Sequence, residues 1–319
     1  MTGEYYRHLG LSVWSDRPLA RLTPLPDRPV DLSIATTEPG SADNRQLPWI
    51  SVRRSGSAWR AATDEGSWLR IRYAEDASWA EFVIDPHGHT VTVSHTDDVP
   101  WEAVCELLLG PIFSSVLAQR DVTCVHAAVI KIDERVIGFV GAKGAGKSTT
   151  SMAFVHHGAA LVSDDVAVLG EVDGRTTVSL GTPRLRMRRD SAEALRGSFE
   201  ALTPMWANST SRYAKRYLEV TTASADAPLV LDAFYFLAPR GQVDQNPAIR
   251  PVPPIEAVPR LMVNRHMVDL IERRSHQRDF AVLARVAASI RLGELLRPNG
   301  LHAMEQTVDA VAADLVAVA

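Results

Sequence analysis

The chain has 319 residues and a mass of 34.9 kDa; 46% of its residues are hydrophobic, 23% are charged, and glycine and proline contribute 19 each. That composition excludes collagen-like and low-complexity chains and argues against wholesale disorder. With 34 basic residues against 38 acidic ones, net −4, a general nucleic-acid or membrane-surface binder is not expected.

No apolar run is expected to reach the 18 or more residues of a membrane span, and the polar start, Met1 to Gly10, has no signal-peptide core, so a cytoplasmic chain is expected. The two cysteines, Cys105 and Cys124, make neither a disulfide framework nor a metal cluster. Only four lysines occur, Lys131, Lys143, Lys147 and Lys215, so arginine carries nearly all the positive charge.

Residues 1 to about 100 read as β-rich. Leu69, Ile71 and Tyr73 alternate with Arg70 and Arg72, and Ala80, Phe82 and Ile84 flank Glu81 and Val83; a period of two marks half-buried strands. The turn Asp85-Pro86-His87-Gly88 leads into Thr90 to Val93 as a hairpin would. Leu11 to Trp14, Val30 to Ala35 and Trp49 to Val52 are shorter strand candidates, and Glu38 to Gln46 reads as a loop. From Trp101 to Gln119 the period changes: Val104, Leu107, Leu108, Ile112, Val116 and Leu117 share one helical face. Gly110-Pro111 is expected to split that helix, since proline lacks an amide donor and clashes with the preceding turn. The expected division is a β-rich N-terminal domain over 1–118 and a second domain over 119–319.

The second domain opens with apolar strands at Thr123 to Ile132 and Arg135 to Val140. A glycine-rich loop, a helix from Lys147 to His157 and a strand from Ala159 to Val162 follow. A hairpin is expected over Val166 to Val172 and Thr176 to Leu180, turning at Asp173-Gly174. Arg184 to Thr222 is polar and weakly periodic. Beyond a strand at Leu229 to Leu237 the pattern is mostly helical, with one short strand near Arg291 to Leu295.

Gly141, Ala142, Lys143, Gly144, Ala145, Gly146, Lys147 and Ser148 satisfy the phosphate-loop pattern G-x-x-x-x-G-K-[ST]. Glycines let consecutive amides turn inward around phosphate oxygens, and the helix that follows adds its positive dipole end. Lys147 reaches the β- and γ-phosphates, the Ser148 hydroxyl ligates Mg²⁺, and Thr149 continues the cradle. Lys143 either adds a phosphate contact or points into solvent. The expected cofactors are ATP and Mg²⁺.

Asp164 and Asp165 follow a strand only 17 positions past Lys147. Two adjacent carboxylates there divide the labour: one orients or deprotonates a hydroxyl nucleophile, the other holds Mg²⁺ or its waters. The run Arg184, Arg186, Arg188, Arg189, Arg212, Lys215 and Arg216 is either a solvated face or a phosphate clamp, with Arg184, Lys215 and Arg216 as the clamp candidates. His87, His89 and His95 read as turn and strand residues rather than metal ligands. His156 and His157 suit a helix C-terminus.

His126 to Val129, Gly141 to Ser148, Gly158 and Val162 to Asp165 together resemble the C-terminal domain of HPr kinase/phosphorylase. They are more similar still to the serine kinases of lasso-peptide and related peptide-modification gene clusters, which share a leucine-rich helix like Leu107 to Gln119 and a stretch like Thr182-Pro183-Arg184-Leu185. The resemblance implies an α/β P-loop kinase core of the HPr kinase/PEP carboxykinase type, with a mixed sheet, behind the β-rich N-terminal domain. It further implies Asp164 as the base for a serine hydroxyl, Asp165 in the Mg²⁺ shell, and His126 as a partner that holds or tunes an aspartate. The bifunctional HPr enzymes carry Glu-x-Arg-Gly past the aspartates. Glu193, Arg196 and Gly197 have the wrong spacing, which speaks against HPr as substrate and against the reverse phosphorylase activity.

The expected function is phosphoryl transfer from ATP to a serine-type hydroxyl of a peptide or small protein, without nucleic-acid or membrane partners and with a homo-oligomer left open. The alternatives are a small-molecule hydroxyl kinase and a nucleotide-binding regulatory protein.

Overall fold

The computed structural model describes residues 3–40, 46–53, 57–182, 184–189, 192–193, 198–204, 215–220, 223, 227–267, 270, 273–300 and 303–316. Expectations resting on Arg196, Gly197 and Arg212, and on the side chains of Arg188 and Lys215, lie outside the described residues. The chain divides into two compact units, Met1–Val122 with Met267–Glu272, and Thr123–His266 with Arg273–Ala319.

Unit 1 carries strands β1 (Glu4–His8), β2 (Leu11–Ser15), β3 (Leu32–Thr36), β4 (Ile50–Ser51), β5 (Ala58–Thr63), β6 (Gly66–Glu75), β7 (Ser78–Ile84) and β8 (Thr90–His95). They form one sheet in the order β1-β2-β3-β8-β7-β6-β5-β4. The alternating residues do what their period demands: Leu69, Ile71, Phe82 and Ile84 are buried, while Arg70 and Arg72 reach a common carboxylate on Glu81. Both sheet edges are blunted, β1 by a bridge from Tyr5 to Leu25 and β4 by being two residues long.

The helical segment departs from expectation. α1 (Trp101–Leu107) passes through a π-helical turn (Leu108–Ile112) straight into α2 (Phe113–Gln119). Gly110-Pro111 therefore does not split it: the wider turn absorbs the proline that an α-helical ladder would reject. The resulting 19-residue segment is long and apolar enough to cross a membrane by length and composition, against the expectation that no run reaches that length. Most of it is buried, and it is tied into its own unit by the His8 ring against Leu109 O (2.9 Å) and an Arg21–Glu106 ion pair (2.8 Å).

Unit 2 begins with β9 (Cys124–Val125), β10 (Ala127–Ile132), β11 (Arg135–Val140), α3 (Lys147–His156), β12 (Ala160–Ser163), β13 (Ala167–Val172) and β14 (Arg175–Val178). Next come β15 (Arg184–Arg188), β16 (Thr203–Pro204), β17 (Lys215–Glu219), β18 (Leu229–Val230), β19 (Ala233–Leu237) and β20 (Ala248–Pro251). The unit closes with α4 (Pro254–Val263), α5 (Arg273–Ser289), β21 (Arg291–Leu296) and α6 (Met304–Val316). The main sheet is mixed, in the order β12-β10-β11-β19-β21-β20; β18-β14-β13-β9 and β15-β17-β16 form two smaller sheets. The polar, weakly periodic stretch from Arg184 thus holds three short strands among its described residues. The single strand expected over Thr123 to Ile132 is broken at His126, with β9 in one sheet and β10 in another.

The central strands are buried on both faces, which is why they read as continuous apolar runs. Ile137, Phe139, Ala233, Tyr235 and Leu237 pack on one side with Phe154 of α3 and Val311 of α6. Val136, Val140, Phe234 and Phe236 pack on the other with Leu261 of α4 and Leu283 of α5. Gly138 is required between them, since a Cβ there would stand 2.4 Å from a Phe234 ring carbon.

One buried ion pair anchors α5 to this core. Arg265 Nη1 reaches Asp279 Oδ2 at 2.7 Å, and Thr123 Oγ1 donates to Oδ1 at 2.9 Å. Burial pushes the Asp279 carboxyl up, but hydrogen bonds from Arg278, Arg265 and Thr123 hold it below the usual value. Asp279→Ala should cost about 3–5 kcal/mol in guanidinium unfolding, because Arg265 is left buried and unpaired. The sign of the pH dependence follows from the lowered value. The wild-type contribution is full above about pH 4 and fades as pH falls through the folded-state value, and the variant should lose that acid-side slope.

Candidate active site

Strand direction builds the site. Both β11 and β12 run antiparallel to β10, while β19 and β21 run parallel to β11. β12, β11, β19 and β21 therefore end at one edge of the sheet, the place where open α/β sheets collect their ligands. At that edge β12 delivers Asp164 and Asp165, and β11 delivers the loop Gly141 to Gly146. His126 precedes β10, which starts where β11 ends, with Ala127 opposite Val140.

Two glycines of the loop take left-handed backbone. Gly146 caps α3 at φ +94°, a left-handed conformation that suits glycine, and Gly144 lies at φ +89°. Lys147, 7% exposed, turns its Nζ back to Gly141 O (2.7 Å) and Ala142 O (3.2 Å). Lys143 is exposed, Gly141 is packed against Ala145, and Thr149 stands in the first turn of α3.

Ser148 Oγ donates to Asp164 Oδ1 at 2.9 Å, and the Arg186 backbone N–H donates to Oδ2 at 3.0 Å. Burial and the adjacent Asp165 charge lift the Asp164 carboxyl above its usual value, against the pull of Arg186 and Ser148. Asp165 is the opposite case. Its φ of +81° aims its side chain at His126 Nδ1 (3.0 Å) and at Arg186 Nη1 (2.9 Å), with His266 Nε2 3.9 Å away. Burial works upward there too, but His126, His266 and the Arg186 guanidinium overcome it and hold the carboxyl well below the usual range. His126 Nδ1 faces two acceptors, Asp165 Oδ1 and Asp165 O, so the ring hydrogen is assigned to Nδ1.

The resemblance assigned Asp165 to the Mg²⁺ shell, yet it is Asp164 that holds the Ser148 hydroxyl. The aspartate that His126 meets is Asp165, not Asp164. The Ser148 hydroxyl is a hard-oxygen donor of the kind Mg²⁺ takes, and its hydrogen is held by Asp164. His126, Asp165 and His266 also present ligand atoms within 4.8 Å of one another. A guanidinium 2.9 Å from Asp165 repels a cation there, which favours the Ser148 side.

The clamp candidates go elsewhere. Arg184 pairs with Glu219 at 3.0 Å, and Arg216 pairs with Glu200 while donating to Leu202 O at 3.0 Å and lying over the Phe199 ring. Those acids tie both arginines into the small sheet, so the arginine brought to the aspartates is Arg186. Sequence reasoning also missed His266. It is carried to His126 because residues 264–266 run beside 124–126, with His126 N on Asn264 O (2.7 Å) and His266 N on Cys124 O (2.9 Å). A lone histidine after a helix carries no spacing signal for this.

No family model and no curated protein matches the chain. Among solved structures, the HPr(Ser) kinase/phosphatase from Coxiella burnetii is similar over 61% of this chain and 97% of its own, at 13% identity and a TM-score of 0.32.

Because the Asp165 charge is one cause of the raised Asp164 carboxyl, Asp165→Asn should move Asp164 back down toward an ordinary carboxylate. A ¹³C NMR titration of the aspartate carboxyls reads this directly. An Asp164 midpoint that stays put or rises in the variant contradicts the coupling.

Proposed function

We propose that the chain is an ATP- and Mg²⁺-dependent kinase that phosphorylates a serine-type hydroxyl, with a peptide or small protein as acceptor. The observation that carries this reading is the Ser148–Asp164 hydrogen bond. It joins the metal-ligating hydroxyl of a phosphate loop to a buried carboxylate, within one residue of a second. The HPr kinase-like resemblance of the motifs points the same way.

Lys147 and the loop amides bind the phosphate chain. Ser148 would hold Mg²⁺, its hydroxyl hydrogen fixed by Asp164, and the ion would neutralise charge on the phosphates. Asp164 is the proton acceptor. Its lifted carboxyl holds a proton more readily than its neighbour, whereas Asp165 is locked as an anion by Arg186 and the imidazoles. As the acceptor oxygen forms its bond to the γ-phosphorus, the bond to the ADP oxygen breaks and the hydroxyl proton passes to Asp164. Asp165 acts as an anchor: it fixes the Arg186 guanidinium, which can steady the transferring group, and it orients His126.

A peptide acceptor has support in β15. In an antiparallel ladder a residue's N–H and C=O point to the same side. The Arg186 N–H goes to Asp164, so this edge of β15 faces the aspartates rather than β17. An extended chain laid against that edge would bring a serine hydroxyl toward Asp164.

Lys147→Ala should weaken Mg-ATP binding about 10–100-fold by calorimetric titration, the worth of a lost charged hydrogen bond. Equal affinity in both proteins rejects the phosphate-loop reading. Asp164→Asn should keep ATP binding and lose about 10²–10⁴-fold in single-turnover transfer from labelled ATP to serine-containing peptides. Near-normal transfer by Asp164→Asn beside a dead Asp165→Asn would exchange the two roles. Transfer to free serine as fast as to any peptide would favour the small-molecule kinase.

A further inference from the structure

The sheet edge carries more charge than the phosphate loop and the aspartates account for. Past β11 the next two strands, β19 and β21, also end there, and each is followed by an arginine: Arg240 three residues beyond Leu237, and Arg297 directly after Leu296. The two turns are joined, since Gly241 N donates to Arg297 O at 2.9 Å and Ala238 N to Leu295 O at 3.1 Å. Both guanidinium groups converge on the cap of α3. A Cβ on Gly146 would stand 3.3 Å from Arg297 Nη1 and 3.6 Å from Arg240 Nη2.

Arg297 is 1% exposed. Its Nη2 holds Ala145 O and Ala238 O, each at 2.9 Å, and its Nη1 holds Thr150 Oγ1 at 3.2 Å. Its Nε has no hydrogen-bond partner. Arg240 donates to Gly300 O. Among the described residues neither guanidinium forms an ion pair. Burial lowers the Arg240 value, and burial with the like charge of Arg240 lowers Arg297 to about 10. Two arginines placed together with no acid between them, at a helix N-terminus that already favours anions, form an incomplete charge arrangement.

We propose that Arg240 and Arg297 form a second anion subsite on the flank of the phosphate loop away from Asp164, and that it takes the inner phosphate of a nucleoside di- or triphosphate. The orientation rests on the kinase reading above. The transferring phosphate belongs beside Asp164 on the β12 side, so the rest of the chain runs across the loop toward β19 and β21. Such a contact is made alike in substrate, transition state and ADP product. It therefore tightens binding without accelerating transfer, and its loss raises KM for ATP while leaving kcat near its normal value. Arg297, already committed to three acceptors, holds the loop in place; Arg240, half-buried and donating to the Gly300 carbonyl, is the arm that turns to the ligand.

The test titrates Mg-ADP and inorganic pyrophosphate into the full chain by calorimetry. The wild type should bind both, Arg240→Gln should lose about tenfold in affinity for each, and Arg240→Lys should recover part of that loss. The unliganded Gln variant should melt no lower than the wild type, because it relieves Arg297 of a like charge. In the wild type, saturating pyrophosphate should shift the ¹⁵Nε resonance of Arg297. Unchanged ADP and pyrophosphate affinity in Arg240→Gln, or an unmoved Arg297 resonance, overturns the subsite while leaving the phosphate loop intact. A wild-type chain that binds neither ligand overturns the kinase reading and the subsite with it.

Discussion

The acid pair, the glycine loop and the two arginines beside it depend on the direction of four strands. β12, β11, β19 and β21 all finish on one side of the sheet, and each carries its chemistry in the few residues after its last paired position. Reversing any one would move its cargo to the far side of a strand, about 15–20 Å away for a strand of five or six residues. Main-chain pairing, which is indifferent to side-chain identity, thus fixes an acid pair, a phosphate loop and two arginines in one row.

The acid pair shows how two identical side chains one residue apart acquire different properties. Asp164 keeps an ordinary strand-end backbone and meets a hydroxyl and an amide, both uncharged donors. Asp165 turns through a left-handed φ and meets a guanidinium and imidazoles. Burial acts on both in the same direction. At Asp165 the guanidinium and imidazole partners outweigh it, whereas at Asp164 the neighbouring Asp165 charge adds to it and the hydroxyl and amide do not outweigh the sum.

What the sequence disclosed follows the range of the interactions involved. The phosphate loop, its flanking strand and helix, and the hairpin turning at Asp173-Gly174 are contiguous, so their residues could be read together. The Asp164–Asp165 pair was visible because it follows its strand directly. Arg240, Arg297 and His266 were not, since each is a single residue brought in from 90 or more positions away by strand order, which no local spacing records. Arg184 and Arg216 were favoured over Arg186 for want of register. The pairing of β15 with β17 puts Glu219 opposite Arg184, the turn at Glu200 takes Arg216, and Arg186 turns its backbone to Asp164. The π-helical turn leaves no local signal, because a proline that an α-helical ladder rejects is accommodated once the turn widens.

The break at His126 has a further consequence. Cys124 and Val125 belong to the four-stranded sheet, Ala127 onward to the six-stranded one, and the intervening amide is held by Asn264. The imidazole therefore sits at a seam where neither sheet can open without displacing it. The ring stays registered with Asp165 only while both sheets are closed. The site would not persist in a partly unfolded form, and its lifetime would match that of the whole unit.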